Sequence, residues 1–509
     1  MISYHIPEGV KPVTLQDRTV LSTPSGGRII IDSTLLTIWQ EAHGNVDEEI
    51  VKYRSFKSLN PKLVLVALAC LSEAGLLCRQ ENRLPRRSLE FDRKPLTDPG
   101  ESSAKVSAII VCHNSRLWLE KCISSLLAQT YSPLEIIVID NGSSDGSTNW
   151  LAEAFSSVKL VTLDKPQPLA RALNLGIETA EGVYYLLLNP DVELEPDALA
   201  GMLAIAQGNP SCAAVSAKLR FSWAPAFLNG LGNFVGAFSW GTDCALGHLD
   251  LGQFDAWYEI PSACFAATLI PSVVYKKVGP IDEGYPLYYE DSDWSYRSRL
   301  LGFKILVAPK AIAYHAFGGQ LPGSNQSRMT QSKLRQVSFG RLRFATKILG
   351  WKYLLRFLSG YFIEDVFRAG LALLQGSWGK IRAILQAWND YFRCLPALIQ
   401  IRYNIQAHRI YSDEDLLRLQ RTTPMPLIWR GYPCLTWNII CNLYLPLLIS
   451  GRTREVPEIS KADLRASTES ANARPISGFN HVRQVWRAEG FRASLYWIGK
   501  SVQWLLMQP

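Results

Sequence analysis

The sequence predicts an α/β protein: a mixed, mainly parallel sheet with helices on both faces, a small helical block before it and a mainly helical region after it. Three observations predict this. Between residues 105 and 320, apolar runs such as VSAIIVC (Val106–Cys112), EIIVID (Glu135–Asp140) and VYYLLLN ending at Asn189 alternate with helical patterns. Such β-α-β alternation makes parallel sheets, with ligands bound beyond the carboxyl ends of the strands. Residues 1–80 hold helical patterns between short apolar runs, and from residue 321 the pattern is helical, aromatic and basic.

The chain has 509 residues, 48% hydrophobic and 19% charged. That excludes a disordered tail protein, a collagen-like chain and a small disulfide scaffold. The net charge of +8 hides a division: residues 328–509 carry 26 Lys+Arg against 11 Asp+Glu, or +15, which leaves −7 for residues 1–327. Eight of the 15 Trp lie in the basic part. Basic plus aromatic points to a membrane surface or a nucleic acid. Ten cysteines are scattered with no C-x-x-C pair, as expected of reduced filler thiols in a cytosolic compartment. The opening MISYHIPEGVKPVT lacks the basic and apolar regions of a signal peptide.

In the first block, RIIID is followed by the helical patterns TLLTIWQEAHG, VDEEIVKYRSF and Pro61–Ala74, with Gly75 as a stop and Leu76-Leu77-Cys78 as a closing strand. A hairpin, three helices and a strand make a small winged helix. The arrangement resembles PqqD-like domains, which implies recognition of a leader peptide or a partner protein; a plain docking module fits as well. Residues 81–104, charged and Pro-containing, read as a linker. The boundaries expected are therefore 1–80, 81–104, 105–320 and 321–509.

In the third block, a helix capped by Ser115 follows the first strand, and the strand ends carry the polar residues. In order these are His113-Asn114, Asp140-Asn141-Gly142-Ser143-Ser144-Asp145, Asn189-Pro190-Asp191, Glu290-Asp291-Ser292-Asp293-Trp294 and Tyr314-His315. Singly, each is read as readily as a turn former or helix cap. As an ordered set they resemble the family-2 glycosyltransferases of GT-A fold, in the rhamnosyltransferase-like, non-processive branch. The matching segments are VSAIIVCHNS, EIIVIDNGSSDGS, ALNLGIETAEGVYYLLLNPDVEL, DEGYPLYYEDSDWSYRSRLLGF and YHAFGG.

The resemblance implies the following roles. Asp140 reads the nucleotide, and His113, Asn114, Asn141, Arg171, Asn174 and Asn189 lie on the donor side. Asp191 is the metal-ligating acid, with His315 able to complete the coordination of Mg²⁺ or Mn²⁺. Asn189 stands where the family carries the first acid of a D-x-D motif, which puts strict metal dependence in doubt. Asp291 matches the catalytic base, and Glu290, Asp293 and Trp294 lie on the acceptor side, although Trp294 is equally able to pack in the core. Physically, a cation beside a departing diphosphate offsets its growing charge. Like-charged Glu290 and Asp293 should raise the pKa of Asp291, which suits a base. No Q-x-x-R-W motif follows, so one sugar per encounter is expected. A sugar nucleotidyltransferase would need a Gly-rich, Arg-containing loop after the first strand, where CHNSRLW stands instead.

The fourth block carries FATKILGWKYLLRFLSGYF, LALLQGSWGKIRAILQAW and FRASLYWIGKSVQWLLM. Long basic stems beside Trp, Tyr and Leu suit a bilayer interface; an ordinary helical subdomain with a basic face suits the pattern too. The uncharged stretch 431–451 is expected to be an interfacial or re-entrant hairpin. Nucleic acid is not expected as a partner, because the helices of the first block carry no Arg- or Lys-rich face. The expectation is an inverting enzyme, cytoplasmic and peripheral at the inner face of the membrane, moving one sugar from a nucleotide-sugar to a glycan or lipid-linked glycan in cell-surface polysaccharide assembly. A peptide acceptor presented to the first block, and a degenerate non-catalytic scaffold, are the alternatives.

Overall fold

The computed structural model describes residues 2–446 apart from 16–17, 24–26, 46–49, 51–58, 60, 82–103, 236–240, 257–258, 318–329, 422, 425 and 430–431. The first block contains β1 (Ile2–His5), β2 (Lys11–Leu15), β3 (Arg18–Ser22), β4 (Arg28–Ile31), α1 (Ser33–Ala42), α2 (Pro61–Glu73) and β5 (Cys78–Glu81). Strands β2, β3 and β4 form one antiparallel sheet, and β1 pairs with β5. Helix α1 is capped by Asp32, whose Oδ1 accepts from the Leu35 amide at 2.9 Å. Its buried Leu35, Ile38, Trp39 and Ala42 share a core with Val64, Ala67, Leu68 and Leu71 of α2, the three- and four-residue steps of amphipathic helices. The closing strand lies just beyond Leu76 and Leu77, which are themselves core residues. Most of the middle helical pattern, and 82–103 of the expected linker, lie outside the described residues.

The central sheet has nine strands, in the order β10-β16-β11-β15-β9-β6-β7-β8, with β12 paired to β11. In chain order its elements begin with β6 (Val106–Cys112), α3 (Arg116–Leu127), β7 (Leu134–Asp140), α4 (Ser147–Ala154), β8 (Lys159–Thr162), α5 (Leu169–Thr179), β9 (Tyr184–Leu188), β10 (Val192–Leu194) and α6 (Ala198–Gln207). They continue through β11 (Cys212–Phe221), β12 (Ala224–Gly230), β13 (Asn233–Val235), β14 (Gly241–Asp243), β15 (Ala267–Pro271), α7 (Ser272–Val278), α8 (Glu290–Leu300) and β16 (Lys304–His315). The β6–β7, β6–β9, β7–β8 and β11–β16 pairs are parallel; β15 runs antiparallel between β9 and β11. Every residue of β6 is buried. Val106, Ala108 and Ile110 meet Leu119, Ile123 and Leu126 of α3 on one face. Ile109 and Val111 meet Ala170, Leu173 and Ile177 of α5 on the other. That two-sided burial is why the strand reads as an unbroken apolar run.

The described part of segment 222–257 forms β12, paired to β11, and the β13–β14 pair. It is pinned by Lys218, fully buried, which binds Asp250 at 3.2 Å and Asp255 at 2.6 Å, while Arg220 holds Asp250 at 2.6 Å. Burial alone would raise the Asp250 carboxyl, but the two cations outweigh it and hold it below the usual range.

The basic region forms α9 (Gln331–Ile348), α10 (Trp351–Leu374), α11 (Trp378–Ala407) and α12 (Asp413–Arg421). A buried ionic cluster ties it to the sheet domain. Lys347 of α9, 1% exposed at its side chain, contacts Asp282 at 2.5 Å and Asp293 at 2.6 Å. Arg343 reaches both Asp282 oxygens at 2.8 and 2.9 Å, and Arg297 binds Asp293 at 2.8 Å. Burial draws the Lys347 ammonium below the usual lysine value while both carboxylates oppose that shift.

The stretch expected at a membrane is corrected for its described part. Residues 432–446 form β18 (Tyr432–Pro433), paired with β17 (Ile428–Trp429), then α13 (Trp437–Ile439) and a short π-turn. Leu435, Ile440, Tyr444 and Leu445 are buried in the core of the first block. The Trp437 amide donates to Asp32 Oδ2 at 2.7 Å and the Leu435 amide to the Ile30 carbonyl at 2.9 Å. An uncharged run suits a buried strap as well as a bilayer, and packing decided between them. Among the described residues no helix is long and apolar enough to cross a membrane.

Lys347→Met is expected to destabilise the protein by about 3–5 kcal/mol, because it leaves two buried carboxylates without their shared cation. Urea unfolding against the wild type measures the loss, and a change below about 1 kcal/mol would contradict the role given to the cluster.

Candidate active site

Four of the residues singled out above converge beyond the strand ends, together with three that sequence reasoning missed. Helix α8 begins with Glu290, Asp291 and Asp293 in its first turn. It follows two tyrosines in left-handed backbone, Tyr288 at φ 69° and Tyr289 at φ 74°. Non-glycine residues persist there only where their surroundings hold them. Here the Tyr289 ring is buried and its hydroxyl accepts from the Gly241 amide at 3.1 Å.

Asp291 is half-buried, and its Oδ2 accepts from Asn233 Nδ2 at 2.5 Å. Burial pushes its carboxyl up, opposed by the backbone amides of Ser292 and Phe265. Glu290 is 7% exposed, and its Oε2 is buried without a hydrogen-bond partner. Burial, then the neighbouring Asp291, raises it well into the range where it keeps its proton. Asp243 of β14 is raised to about 6 by burial and by Asp291, against the lowering effects of His315 and Lys333. Asn233 and Asn229, four residues apart, hold Asp291 and His315 in turn, so the α8 acids and the end of β16 lie around one cleft.

On the other side of that cleft, His315 Nε2 lies 3.3 Å from Asp191 Oδ1. His315 Nδ1 is 2.7 Å from Asn229 Oδ1. With Nδ1–H donating to Asn229, Nε2 presents a lone pair toward a carboxylate. In that tautomer a cation or a proton between the two satisfies both, whereas with Nε2–H the ring donates to Asp191 directly. Oxygen and imidazole donors suit a divalent ion such as Mg²⁺ or Mn²⁺. Among the described residues no three His, Cys, Asp or Glu side chains gather into a closed metal site. Asn229 Nδ2 and Asn233 Oδ1 are, like Glu290 Oε2, buried polar atoms without protein partners. Three such atoms around one cleft mark a place built for a polar ligand.

The remaining candidates are placed elsewhere. Asp140 is 1% exposed and committed to its own turn: Oδ1 accepts from the Ser143 amide at 3.1 Å and Oδ2 from the Thr148 hydroxyl. Asn141 clamps Gln167, donating to its carbonyl at 2.9 Å and accepting from its amide at 2.8 Å. His113 Nδ1 meets the Asn141 carbonyl at 2.9 Å, and Asn114 Oδ1 accepts from the Ser144 amide at 2.8 Å. These four knit the ends of β6 and β7 into one rigid rim, of which the exposed His113 and Asn114 are the outward part. The α3 terminus is capped across that rim by Asp145, which accepts from the Arg116 amide at 3.0 Å, and not by the Ser115 side chain.

Asn174 is buried with both ends of its amide engaged, by Ile281, Glu283 and Tyr275. Arg171 is exposed and pairs with Glu283 at 3.3 Å. Asn189 is held by its amide to the Ala266 carbonyl at 3.0 Å, which fixes the Asn-Pro-Asp turn. On the acceptor side, Trp294 is 0% exposed, stacked on Tyr275 with ring centroids 6.3 Å apart, and donates Nε1–H to the Gly279 carbonyl. Its place in the core removes it from stacking on a sugar. Asp293 is fully buried in the ionic cluster and is likewise removed from the cleft. The missed residues, Asn229, Asn233 and Asp243, all belong to segment 222–257. They carry no motif; the Asn-Gly-Leu-Gly-Asn run at 229–233 marks a turn and nothing more.

The raised Glu290 carboxyl links stability to pH. A carboxyl raised above its unfolded value binds more protons folded than unfolded, so stability falls as pH rises above the ordinary glutamate value of 4.5. Glu290→Gln should flatten that decline in urea unfolding midpoints taken across the pH range; an unchanged slope would show that Glu290 is ionised in the fold.

Residues 107–233 match the sequence model of glycosyl transferase family 2. Over 216 residues the chain is 26% identical to a poly-beta-1,6-N-acetyl-D-glucosamine synthase of Staphylococcus epidermidis, covering 41% of this chain and 49% of that protein. A 93-residue stretch is 31% identical to glycosyltransferase GlyG of Streptococcus pneumoniae, covering 18% of this chain and 31% of GlyG. The chain spans about half the length of the poly-beta-1,6-N-acetyl-D-glucosamine synthases it matches. Among solved structures, S. aureus TarS 1–349 in complex with UDP-GlcNAc superposes with a TM-score of 0.39 at 16% identity, covering 62% of this chain and 89% of that one. Mannosyltransferase PcManGT from Pyrobaculum calidifontis, in complex with GDP-Man and Mn²⁺, gives a TM-score of 0.37 at 14% identity, covering 57% and 88%. This chain carries a glycosyl transferase family 2 domain on a mixed, mainly parallel α/β sheet.

Proposed function

We propose that this protein is an inverting glycosyltransferase, moving a single hexosyl or rhamnosyl-type sugar from a nucleotide-sugar to a hydroxyl of a glycan or lipid-linked glycan. The observation that carries the reading is the cleft itself. A half-buried carboxylate held by Asn233 faces the same space as the Asp191–His315 pair, on a chain whose sheet domain matches family 2. The acceptor oxygen attacks the anomeric carbon as the bond from that carbon to the diphosphate oxygen breaks. The hydroxyl proton passes to Asp291, and the nucleoside diphosphate departs with the bonding electron pair. Asn233 holds the Asp291 carboxylate in one orientation, and burial keeps it a stronger base than an exposed aspartate. Asp191 and His315 would hold a divalent cation, which supplies charge stabilisation at the leaving diphosphate.

The rim at the ends of β6 and β7 supports a donor site, with His113 and Asn114 exposed toward it. Asp140 and Asn141 contribute by holding its shape. Glu290, held proton-bearing by burial and with a carboxyl oxygen that no protein group partners, is the second candidate on the acceptor side, as donor to a sugar hydroxyl. Polysaccharide assembly at the cytoplasmic face of a membrane, with a lipid-borne acceptor, is part of the same proposal, supported by the basic helices.

Asp291→Asn should abolish sugar transfer by at least about a hundredfold while donor still raises the melting temperature. Undiminished transfer in this variant would overturn the assignment. In the wild type, transfer should fall as pH drops toward a value above the ordinary aspartate 3.8, since only the ionised base acts. Asp191→Asn should weaken the metal-dependent part of donor binding; equal donor affinity with and without Mn²⁺ in both proteins would remove the metal from the mechanism.

A further inference from the structure

Helices α10 and α11 present large apolar side chains outward to an unusual extent. On α10, Trp351, Leu355, Phe362, Val366 and Leu373 are 54–62% exposed. Their steps of four and seven residues put them on one stripe, about a quarter-turn round the helix from the buried Leu354, Tyr361 and Ala372. On α11, Trp378, Leu385, Phe392 and Ile399 recur every seven residues and Tyr403 follows at a further four, opposite the buried Ala383, Ala387 and Leu398. The two stripes meet: the Trp388 ring lies 6.1 Å from Phe362 of α10 and 5.8 Å from Phe392 of α11.

The charges of this plate are one-sided. Lys352, Arg356, Arg382 and Arg393 are exposed around the stripes. The acids of the two helices are all engaged by arginines: Glu364 and Asp365 by Arg341 at 2.7 and 2.5 Å, and Asp390 by Arg335 at 2.7 Å. A continuous apolar surface of this kind marks an interaction site. Exposed aromatics and leucines ringed by uncompensated cations match an anionic lipid surface, where rings enter the headgroup region and basic heads meet lipid phosphates. A second copy of the same plate would bring like charges together.

We propose that the α10–α11 plate docks this protein on an anionic bilayer, lying in the interface without crossing it. The proposal deepens the reading of a membrane-adjacent acceptor and is separable from the transfer chemistry. The full-length protein is tested by flotation with vesicles of phosphatidylcholine containing phosphatidylglycerol, and with vesicles of phosphatidylcholine alone. It should float with the anionic vesicles, less so at high salt, and weakly with the neutral ones. Leu385→Ser combined with Phe392→Ser should reduce the floated fraction by about fivefold or more. Donor-dependent thermal stabilisation should be unchanged in that variant, so a failed docking result leaves the transfer reading standing. Absence of flotation on anionic vesicles overturns the proposal. In that event a dimer by light scattering that the same double substitution disrupts assigns the plate to a second copy. Flotation undiminished in the double variant also overturns it, by assigning membrane binding to another surface.

Discussion

The contact between Lys347 and Asp293 is the constraint on which the cleft depends. Helix α8 opens with three acids in one turn, more negative charge than a helix N-terminus alone offsets. Lys347 and Arg297 neutralise Asp293 at 2.6 and 2.8 Å, and Lys347 also shares Asp282 with Arg343. Removing one of the three charges leaves Glu290 and Asp291 to be tuned by burial and by each other, Glu290 retaining its proton and Asp291 standing as the proposed base. Lys347 and Arg343 come from the +15 part of the chain, and the acids, with Arg297, from the −7 part. The charge division seen along the sequence is thus closed inside the fold, where the basic helices complete the acidic domain.

How much of this was legible follows from which forces act locally. Strands β6, β7 and β9 were readable because both their faces are buried, so their residues had to be apolar throughout. The polar groups just past those strands were readable as a set, because sheet topology alone brings strand ends together. Direction was not readable. Trp294 and Asp293 follow Asp291 within three residues, yet a helix turns them to other faces, one into the core against Tyr275 and one into the ionic cluster. Asn229, Asn233 and Asp243 were invisible for another reason: segment 222–257 takes its shape from buried pairs such as Lys218–Asp250, made across sequence distances that no local pattern records. For the same reason Asp140, expected to read the donor, was legible as a strand-end acid but not as one consumed by Ser143 and Thr148.

The first block is joined to the cleft through that same segment. Phe221, Phe227, Leu246 and Leu249 belong to the core that contains α1 and α2. An added Cβ at Gly27 would fall 2.5 Å from the Trp223 carbonyl, so the block sits against the insert at backbone distance. Asn229, which orients His315, lies two residues beyond Phe227 on the strand this core supports. A change that loosens the first block therefore reaches the imidazole through two residues of strand, whatever the block itself recognises.

The strap at 432–446 sets an order of assembly. Asp32 and Ile30 receive hydrogen bonds from Trp437 and Leu435, partners about four hundred positions later in the chain. During synthesis at roughly 5–20 residues per second, the first block emerges early and waits tens of seconds for the residues that complete its core. Through that interval its apolar surface is open to solvent and to chaperones. A block made some four hundred residues ahead of its partners is finished only when they arrive.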